Sequence, residues 1–274
     1  MVGFEVLMPV YLGDDADAFK VALGSLTSQT LLPTRILIVC DGPVSVDIDL
    51  AIQMAMEQSP GLIEVLRHPT NMGLGKALAL GLSQCTEEYV ARMDSDDISR
   101  NDRFEKQIAY LEMHPEVDLL GSNIREFDDE MANLHGYRQV PLSHDDIYRH
   151  LSLRNAFNHV TVIFRRNAAL AAGNYRDQPF FEDYYLWLRM RARGARFANI
   201  SANLVDVRGG LGMLSRRGGS RYIEPITAFL KSAKREELIG SFAFAIQFFA
   251  RIAVAMVPNR VREQFYRRVL RNRV

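Results

Sequence analysis

Three carboxylates lie within four positions of the segment ARMDSDDISR, at Asp94, Asp96 and Asp97. The residues before them, EYVARM, predict a short buried strand, so the acidic residues directly follow a strand end. Carboxylates this close repel one another, and burying them costs further free energy. A hard divalent cation such as Mg²⁺ or Mn²⁺, bound together with substrate phosphates, would offset both costs.

Helix capping is the other interpretation of the same residues. A helix is predicted in DRFEKQIAYLEMHP, and Asp97 or Ser99 would cap it while Asp102 lies in its first turn. Capping explains one or two of the acidic residues. It does not explain Asp94 and Asp96, which point to one side if the strand conformation continues.

The elements that position these carboxylates alternate between strand and helix. This alternation predicts βαβ crossovers and a parallel sheet, in which ligands bind at the carboxyl ends of the strands. Tyr11, Asp41 and Asp94 each lie at a predicted strand end, so we expect them along one edge. The predicted strands are residues 4–10, 34–42, 62–68 and 88–94, and the helices between them are 15–30, 46–58 and 73–85.

The second half of the chain has a less regular pattern. Strands are predicted in VDLLGSNIREFDD and VTVIFRR, with a short helix near residues 144–151 between them. A clear helix follows in FEDYYLWLRMRARG, which ends at Gly194.

Composition places the chain among ordinary globular proteins. It has 274 residues, of which 48% are hydrophobic and 24% charged. Lys plus Arg and Asp plus Glu are 33 each, so we expect no nucleic-acid partner. From residue 251 to 274, however, seven Arg and one Glu give a net charge of +6. This tail is predicted to be a separate basic region.

The cysteines and the apolar segments indicate a cytoplasmic protein. Cys40 and Cys85 show neither metal-ligand nor disulfide spacing, and the N-terminus lacks the features of a signal peptide. The apolar stretch 241–258 contains Gln247 and Arg251, so we expect it to lie on a membrane or on the protein. With the arginines that follow, it fits peripheral contact with the inner face of the membrane. A helix pair packed on the catalytic domain is the alternative.

Seven motifs occur in an order found in one enzyme family: VLMPVY, SLTSQT, ILIVCDGP, NMGLGKALALGL, ARMDSDDISRNDRFEKQ, AAGNYRD and FFEDYYLWLRM. Over about residues 4–215 the chain resembles inverting family 2 glycosyltransferases of the bacterial surface-polysaccharide type. The resemblance implies the α/β GT-A fold, a Rossmann-like, mostly parallel sheet flanked by helices, with a C-terminal helical extension.

The resemblance also implies a division into domains. Residues 1–220 would be the catalytic domain, with a nucleotide-binding half at 1–115 and an acceptor-binding half at 116–220. Residues 221–274 would be a helical, basic extension that either contacts a membrane or packs on the catalytic domain.

On the donor side the resemblance implies a nucleotide-sugar, most naturally UDP-linked. Asp41 would accept a hydrogen bond from the base, and Pro9 and Tyr11 would line the base pocket. Lys76 would approach a phosphate. From the residues alone, Asp41 is equally a turn residue before Gly42, and Lys76 an exposed helix lysine.

The acidic motif would hold the diphosphate and its metal. Asp94 and Ser95 are assigned to the nucleotide-sugar, with Asp94 toward the ribose or a metal-bound water. Asp96, with Asp94, is assigned to Mn²⁺ or Mg²⁺. The role of Asp97 stays open.

On the acceptor side Asp183 is implied as the general base. An inverting transfer needs a carboxylate that takes the proton of the attacking hydroxyl. Glu182 would orient the acceptor, and His159 would lie near it. Without the resemblance, Glu182 and Asp183 are simply helix caps, and a lone histidine is more often structural.

The chain also departs from the family pattern. It has Cys40-Asp41-Gly42-Pro43 where Asp-Asp-Gly-Ser is frequent, and Ala77-Leu78-Ala79 where Ala-Arg-Asn is frequent. Residues 206–219 keep Arg208 but lack the histidine that many members have. Arg216 and Arg217 in that segment would supply charge to the diphosphate, or would be solvated loop residues.

The predicted function is transfer of a sugar from a UDP-sugar to a hydroxyl of a glycan or of an acceptor linked to polyprenyl diphosphate. A protein that binds a nucleotide-sugar without turnover is one alternative. A nucleotidyltransferase is another, although MPVYLGDD lacks the Gly-rich, basic phosphate loop that such an enzyme uses near its first strand.

Overall fold

A single mixed sheet organises the chain in the computed structural model, which describes residues 2–128, 130–209 and 220–257. The strands are β1 (Phe4–Val10), β2 (Arg35–Asp41), β3 (Ile63–His68), β4 (Tyr89–Arg92), β5 (Ile98–Ser99), β6 (Leu119–Phe127), β7 (Leu134–Arg138), β8 (Ile163–Arg165) and β9 (Phe197–Arg208). The helices are α1 (Ala16–Thr27), α2 (Val46–Gln58), α3 (Leu74–Gln84), α4 (Arg103–Met113), α5 (His144–His150), α6 (Arg166–Ala171), α7 (Glu182–Ala192), α8 (Ser220–Arg235) and α9 (Ser241–Met256). Among these residues the strand order is β3-β2-β1-β4-β8-β6-β9-β5, with β7 paired to β6.

The first half of the sheet is parallel, as the alternation of strand and helix predicts. β1 pairs in parallel with β2 and β4, and β2 pairs in parallel with β3. Successive side chains of β1 enter opposite faces of the sheet, as in any strand. Leu7 joins the core formed with α3, α7 and α8, whereas Val6 and Met8 join the core with α1, α2 and α4. The carboxyl ends of β1, β2 and β4 therefore meet at one edge.

The second half mixes directions. β8 is antiparallel to β4 and β6, and β6 runs parallel to β9. The sequence predicts β6, β8, α5 and α7 but not β5, β7 or β9. β9 is rich in polar residues and takes part in hydrogen bonds with its neighbours. Asn199 Nδ2 of β9 donates to Pro141 O at 2.6 Å, and Asn123 Nδ2 of β6 donates to the backbone Ser201 O of β9 at 2.8 Å. These bonds accompany register shifts between β6 and β9 and hide the strand pattern.

The capping interpretation of Asp97 and Ser99 is wrong. Asp97 is buried, and its Oδ1 accepts the backbone N–H of Arg208 at 2.8 Å. The N–H of Ser99 donates to Ser25 Oγ at 3.0 Å. α4 begins at Arg103 without a side-chain cap, and Asp102 instead pairs with Lys106. Asp97 thus ties the acidic segment to β9.

The C-terminal helices share the core of α7. Phe229 of α8 stacks on Phe181 with ring centroids 4.6 Å apart, and Gln247 Nε2 of α9 donates to Ser152 O at 3.0 Å. One face of α9 therefore packs on the protein. None of the described helices has both the length and the apolar character that crossing a bilayer requires.

A glycine brings the two halves of the chain into close contact. A Cβ at Gly75 on α3 would lie 2.6 Å from Arg176 O and 3.5 Å from the Cβ of Glu182. A side chain at this position would force the backbone segments apart, because real Cβ atoms essentially never approach within 3.0 Å. Gly75 therefore lets α3 lie directly against the backbone of Arg176, in the segment that leads into α7.

Candidate active site

One cleft of about 510 Å³ lies at the edge where β1, β2 and β4 end. Its volume is typical of small-molecule sites, which span roughly 300–1,000 Å³. From the residues predicted for the donor, the cleft brings together Pro9, Tyr11, Asp41, Asp94, Ser95 and Asp96. From those predicted for the acceptor, it brings together His159, Glu182 and Asp183.

The carboxylates of Asp94, Asp96 and Asp97 form a compact acidic cluster. One ligand oxygen from each lies within 4.8 Å of the others. Burial, together with the charges of Asp94 and Asp14, raises the pKa of Asp96 to about 6. Burial, together with the charges of Asp94 and Asp96, raises the pKa of Asp97 well above its ordinary value. Hard oxygen ligands in this arrangement fit a divalent cation such as Mg²⁺ or Mn²⁺.

Arg92 contacts this cluster, although the sequence did not predict it as a site residue. Its side chain is 1% exposed, pairs with Asp94 and lines the cleft. Burial opposes its charge, but Asp94 keeps the pKa of Arg92 above its ordinary value. Its Nε has no hydrogen-bond partner among the described residues. The positive charge of Arg92 balances part of the negative charge of the cluster. Removing either partner of the pair would be costly, since it would leave a buried charge unpaired.

Asp41 holds the loop that precedes α3. Its carboxylate oxygens accept the N–H groups of Met72 at 2.7 Å and Gly73 at 2.9 Å. The loop approaches closely, since a Cβ at Gly42 would lie 2.7 Å from the backbone nitrogen of Asn71. A carboxylate has about four acceptor sites, so Asp41 keeps capacity for one more donor. It is 5% exposed and lines the cleft.

Asp14 is a second lining residue that the sequence did not predict, and it fixes neighbouring groups near the end of β1. Its Oδ2 accepts the N–H of Tyr11 at 3.0 Å and the hydroxyl of Ser95 at 2.9 Å. These bonds connect the end of β1 to the acidic cluster. The signal in the sequence is only an aspartate near a strand end, which could not be told from a turn residue.

Asp183 lines the same cleft from the start of α7. Its Oδ2 accepts a hydrogen bond from Asn155 Nδ2 at 2.6 Å, and its Oδ1 accepts the N–H of Tyr184 at 2.6 Å. The neighbouring Phe180 has a φ of 69°, a left-handed conformation that is unusual for a bulky residue. It also lines the cleft. The carboxylate is thus oriented by two donors beside an aromatic wall.

Glu182 and His159 lie beside Asp183. Burial, together with Asp183, raises the pKa of Glu182 to about 7. Burial and the nearby charge of Arg92 hold the pKa of His159 well below its ordinary value, so the imidazole is neutral. His159 Nε2 lies 3.0 Å from the hydroxyl of Tyr175. Both residues can offer hydrogen bonds to a hydroxyl in the cleft.

The sequence model of Glycosyl transferase family 2 matches residues 5–172, more than half of the chain. The chain belongs to glycosyltransferase family 2. A relative, the amylovoran biosynthesis glycosyltransferase AmsE of Erwinia amylovora, is 37% identical to this glycosyltransferase over 266 residues. The alignment covers 96% of this chain and 97% of AmsE. The expected family is therefore confirmed.

A second relative of this glycosyltransferase comes from Escherichia coli. It is a UDP-Gal:alpha-D-GlcNAc-diphosphoundecaprenol beta-1,3-galactosyltransferase, 32% identical over 268 residues. The alignment covers 98% of this chain and 96% of that relative.

Solved structures confirm the GT-A fold of the glycosyltransferase. S. aureus TarS 1–349 in complex with UDP-GlcNAc superposes with a TM-score of 0.62 at 20% identity, over 96% of this chain and 70% of that one. In a longer TarS structure the chain covers 43% of the length. The mannosyltransferase PcManGT from Pyrobaculum calidifontis, in complex with GDP-Man and Mn²⁺, has a TM-score of 0.59 at 16% identity, over 95% and 82% of the two chains.

Three predicted residues are not placed in the glycosyltransferase cleft. Lys76 is exposed and pairs with Asp177 at 2.9 Å, and it is not among the residues that line the described cleft. Arg216 and Arg217 lie outside the described residues, as does the basic segment 258–274. Arg208, by contrast, lines the cleft and donates its Nε–H to Asp96 O at 3.3 Å.

Replacing Asn155 by Ala is expected to lower kcat by about tenfold to a hundredfold, because Asp183 loses a donor that fixes its orientation. Loss of a hydrogen bond to the charged form raises the pKa of a carboxyl group, so the acidic limb of the kcat–pH profile should move to higher pH. Turnover of a nucleotide-sugar across pH measures both effects. The exposed Asn167→Ala variant is the control. An unshifted profile would show that Asn155 is not a positioning residue for Asp183.

Proposed function

We propose that the chain transfers a sugar from a UDP-sugar, with inversion, to a hydroxyl of a lipid-linked glycan acceptor in cell-surface polysaccharide biosynthesis. One observation carries the proposal: the acidic cluster and the hydrogen-bonded Asp183 line the same cleft. A diphosphate leaving group and an attacking hydroxyl need such groups on opposite sides of the reacting carbon.

The base of the donor lies at the end of β1 and β2 in this proposal. Asp41 uses its remaining acceptor capacity for the N3–H of uracil, and Pro9 and Tyr11 form the walls. A carboxylate at that position favours a base that presents an N–H over one that presents a lone pair. The names of the Escherichia coli relative and of the TarS complex both contain a UDP-sugar, which supports the same donor class.

Asp94 and Asp96 are the proposed metal ligands, with Mn²⁺ or Mg²⁺ as the ion, and Ser95 adds a polar contact to the nucleotide-sugar. When bound, such an ion supplies positive charge to the departing diphosphate. Arg92 pairs with Asp94 and holds its carboxylate in place, so this ligand is positioned before the ion and the donor arrive. Lys76, Arg216 and Arg217 stay hypotheses for the diphosphate.

Asp183 is the proposed general base. As the acceptor oxygen bonds to the anomeric carbon, the bond from that carbon to the diphosphate oxygen breaks, and UDP leaves with the electron pair. The hydroxyl proton passes to Asp183 Oδ2, which Asn155 aims into the cleft. Glu182 and His159 orient the acceptor. This assignment explains why two donors fix one carboxylate while its neighbour Glu182 is left with a raised pKa.

We also propose where the parts of the chain act. Residues 1–115 bind the nucleotide, 116–220 bind the acceptor, and 221–274 form the extension. A cytoplasmic location is consistent with Cys40 and Cys85, which are both buried free thiols. A polyprenyl-diphosphate-linked acceptor is supported by the name of the Escherichia coli relative, which contains diphosphoundecaprenol.

Among nucleotide-sugars, UDP-sugars are expected to be hydrolysed or transferred fastest in the presence of Mn²⁺, because the names of the Escherichia coli relative and of the TarS complex both contain a UDP-sugar. The measurement is release of nucleoside diphosphate from UDP-, GDP- and dTDP-sugars, with Mn²⁺, with Mg²⁺ and with a chelator. Preference for a GDP- or dTDP-sugar would overturn the assignment of a UDP-sugar as the donor. A protein that binds a donor without turnover would give a binding signal and no release, and absence of both would contradict the whole proposal.

A further inference from the structure

The outer face of α9, defined by Phe242, Ile246, Phe249, Ala253 and Met256, is apolar and open to solvent. Phe242 is 80% exposed, Phe249 71% and Met256 73%. These residues recur every three or four positions, so they form one stripe along the helix. An exposed apolar stripe of this length is unusual for a helix face in water and marks an interaction surface.

The opposite face of α9 is already used by the protein. Gln247 and Ala255 are buried, and the guanidinium of Arg251 lies over the ring of Phe181 at 5.1 Å. Arg251 is the one charged residue among residues 241–256 of α9, all of which the structure describes, and it faces inward. The helix is therefore fixed in orientation, with no charge on its outer face.

Cationic residues precede and follow the stripe along the chain. At the N-terminal end, Lys234 Nζ donates to Ser241 Oγ at 2.9 Å, next to Phe242. Beyond the C-terminal end, residues 258–274 contain six Arg and one Glu, a net charge of +5. An apolar face flanked by cations matches a bilayer surface that carries anionic headgroups, where apolar side chains enter the acyl boundary and cations meet phosphates.

We propose that the outer face of α9 docks on an anionic lipid bilayer, with α9 lying in the plane of the interface. α9 contacts Phe181, and the next two residues of the chain are Glu182 and Asp183. Docking therefore brings the acceptor side of the cleft close to the membrane surface. The inference does not depend on which sugar is transferred, or on whether the proposed reaction is correct.

Flotation of the full chain with lipid vesicles tests the proposal. The wild-type protein should bind vesicles of phosphatidylcholine mixed with phosphatidylglycerol, and more weakly vesicles of phosphatidylcholine alone. Phe242→Ser with Phe249→Ser should lower the partition coefficient about tenfold or more, because two large apolar side chains are lost from the interface. The matched control is Val46→Ser with Met54→Ser on α2, two exposed apolar residues on another helix. It should leave binding unchanged.

The charge contribution has its own test. Arg267→Gln, Arg268→Gln and Arg271→Gln should each lower binding to the anionic vesicles about fivefold, and added salt should do the same. Equal binding by the α9 double variant and the wild type would overturn the proposal. So would a dimeric wild type that becomes monomeric in the double variant, since a second copy would then cover the stripe. Hydrolysis of a UDP-sugar without vesicles reports separately on folding and on the proposed reaction.

Discussion

Replacing Asp183 by Asn is expected to lower kcat by about 10²- to 10⁴-fold, the usual contribution of a general base, while donor affinity stays unchanged. The amide cannot accept the proton of the attacking hydroxyl, although it fills the same space and can still accept the N–H of Tyr184. Donor binding survives because the groups proposed for the nucleotide lie at the ends of β1, β2 and β4, whereas Asp183 lies at the start of α7.

The measurement combines release of UDP at saturating donor and acceptor with titration calorimetry of UDP. Asp145→Asn, an exposed aspartate on α5, controls for the chemical change alone. Retained turnover in Asp183→Asn, together with loss of turnover in Glu182→Gln, would transfer the role of base to Glu182. That outcome would leave the proposed donor site intact.

Replacing Asp96 by Asn is expected to stabilise the metal-free protein at neutral pH and to abolish its stabilisation by Mn²⁺. The pKa of Asp96 is raised to about 6, so the folded chain holds this proton more tightly than the unfolded chain. Ionising Asp96 therefore costs stability as pH rises from about 4 to about 6, on the order of 3 kcal/mol. The amide avoids this cost but is a poorer ligand for a hard cation.

Thermal unfolding at several pH values, with and without MnCl₂, measures both effects. At neutral pH without metal the variant should have the higher Tm, and below about pH 4 the two proteins should converge, since Asp96 is then protonated in both states. Mn²⁺ should raise the Tm of the wild type only. Asp145→Asn should follow the wild type throughout. A variant that is less stable at neutral pH, or that Mn²⁺ still stabilises, would contradict the assignment of Asp96.

Local patterns were sufficient to predict the parallel half of the sheet and the residues at its edge. Tyr11, Asp41 and Asp94 follow short apolar strands, and strand direction alone brings such positions together. The resemblance then assigned Asp183, which the spacing could not connect to the acidic cluster. Both sets line one cleft in the structure.

The residues that the sequence did not reveal act through contacts distant in the chain. Arg92 belongs to an apolar strand segment, and only its burial beneath Asp94 shows that its charge is used. Asn155 lies 28 positions before the Asp183 carboxylate that it orients. β9 was hidden because polar residues interrupt the apolar alternation expected of a strand, and one of them, Asn199, is used for a hydrogen bond to the backbone of Pro141.

The contact at Gly75 determines how two segments that border the cleft can vary. At Gly75 the backbone of α3 lies directly against the backbone of Arg176, in the segment that leads into α7, so main chain against main chain sets the separation of α3 from that segment. Substitutions among the lining residues can reshape the pocket for a different sugar or acceptor without changing that separation. Side chains thus determine which substrate fits the cleft, while the backbone contact at Gly75 keeps the separation of these segments constant.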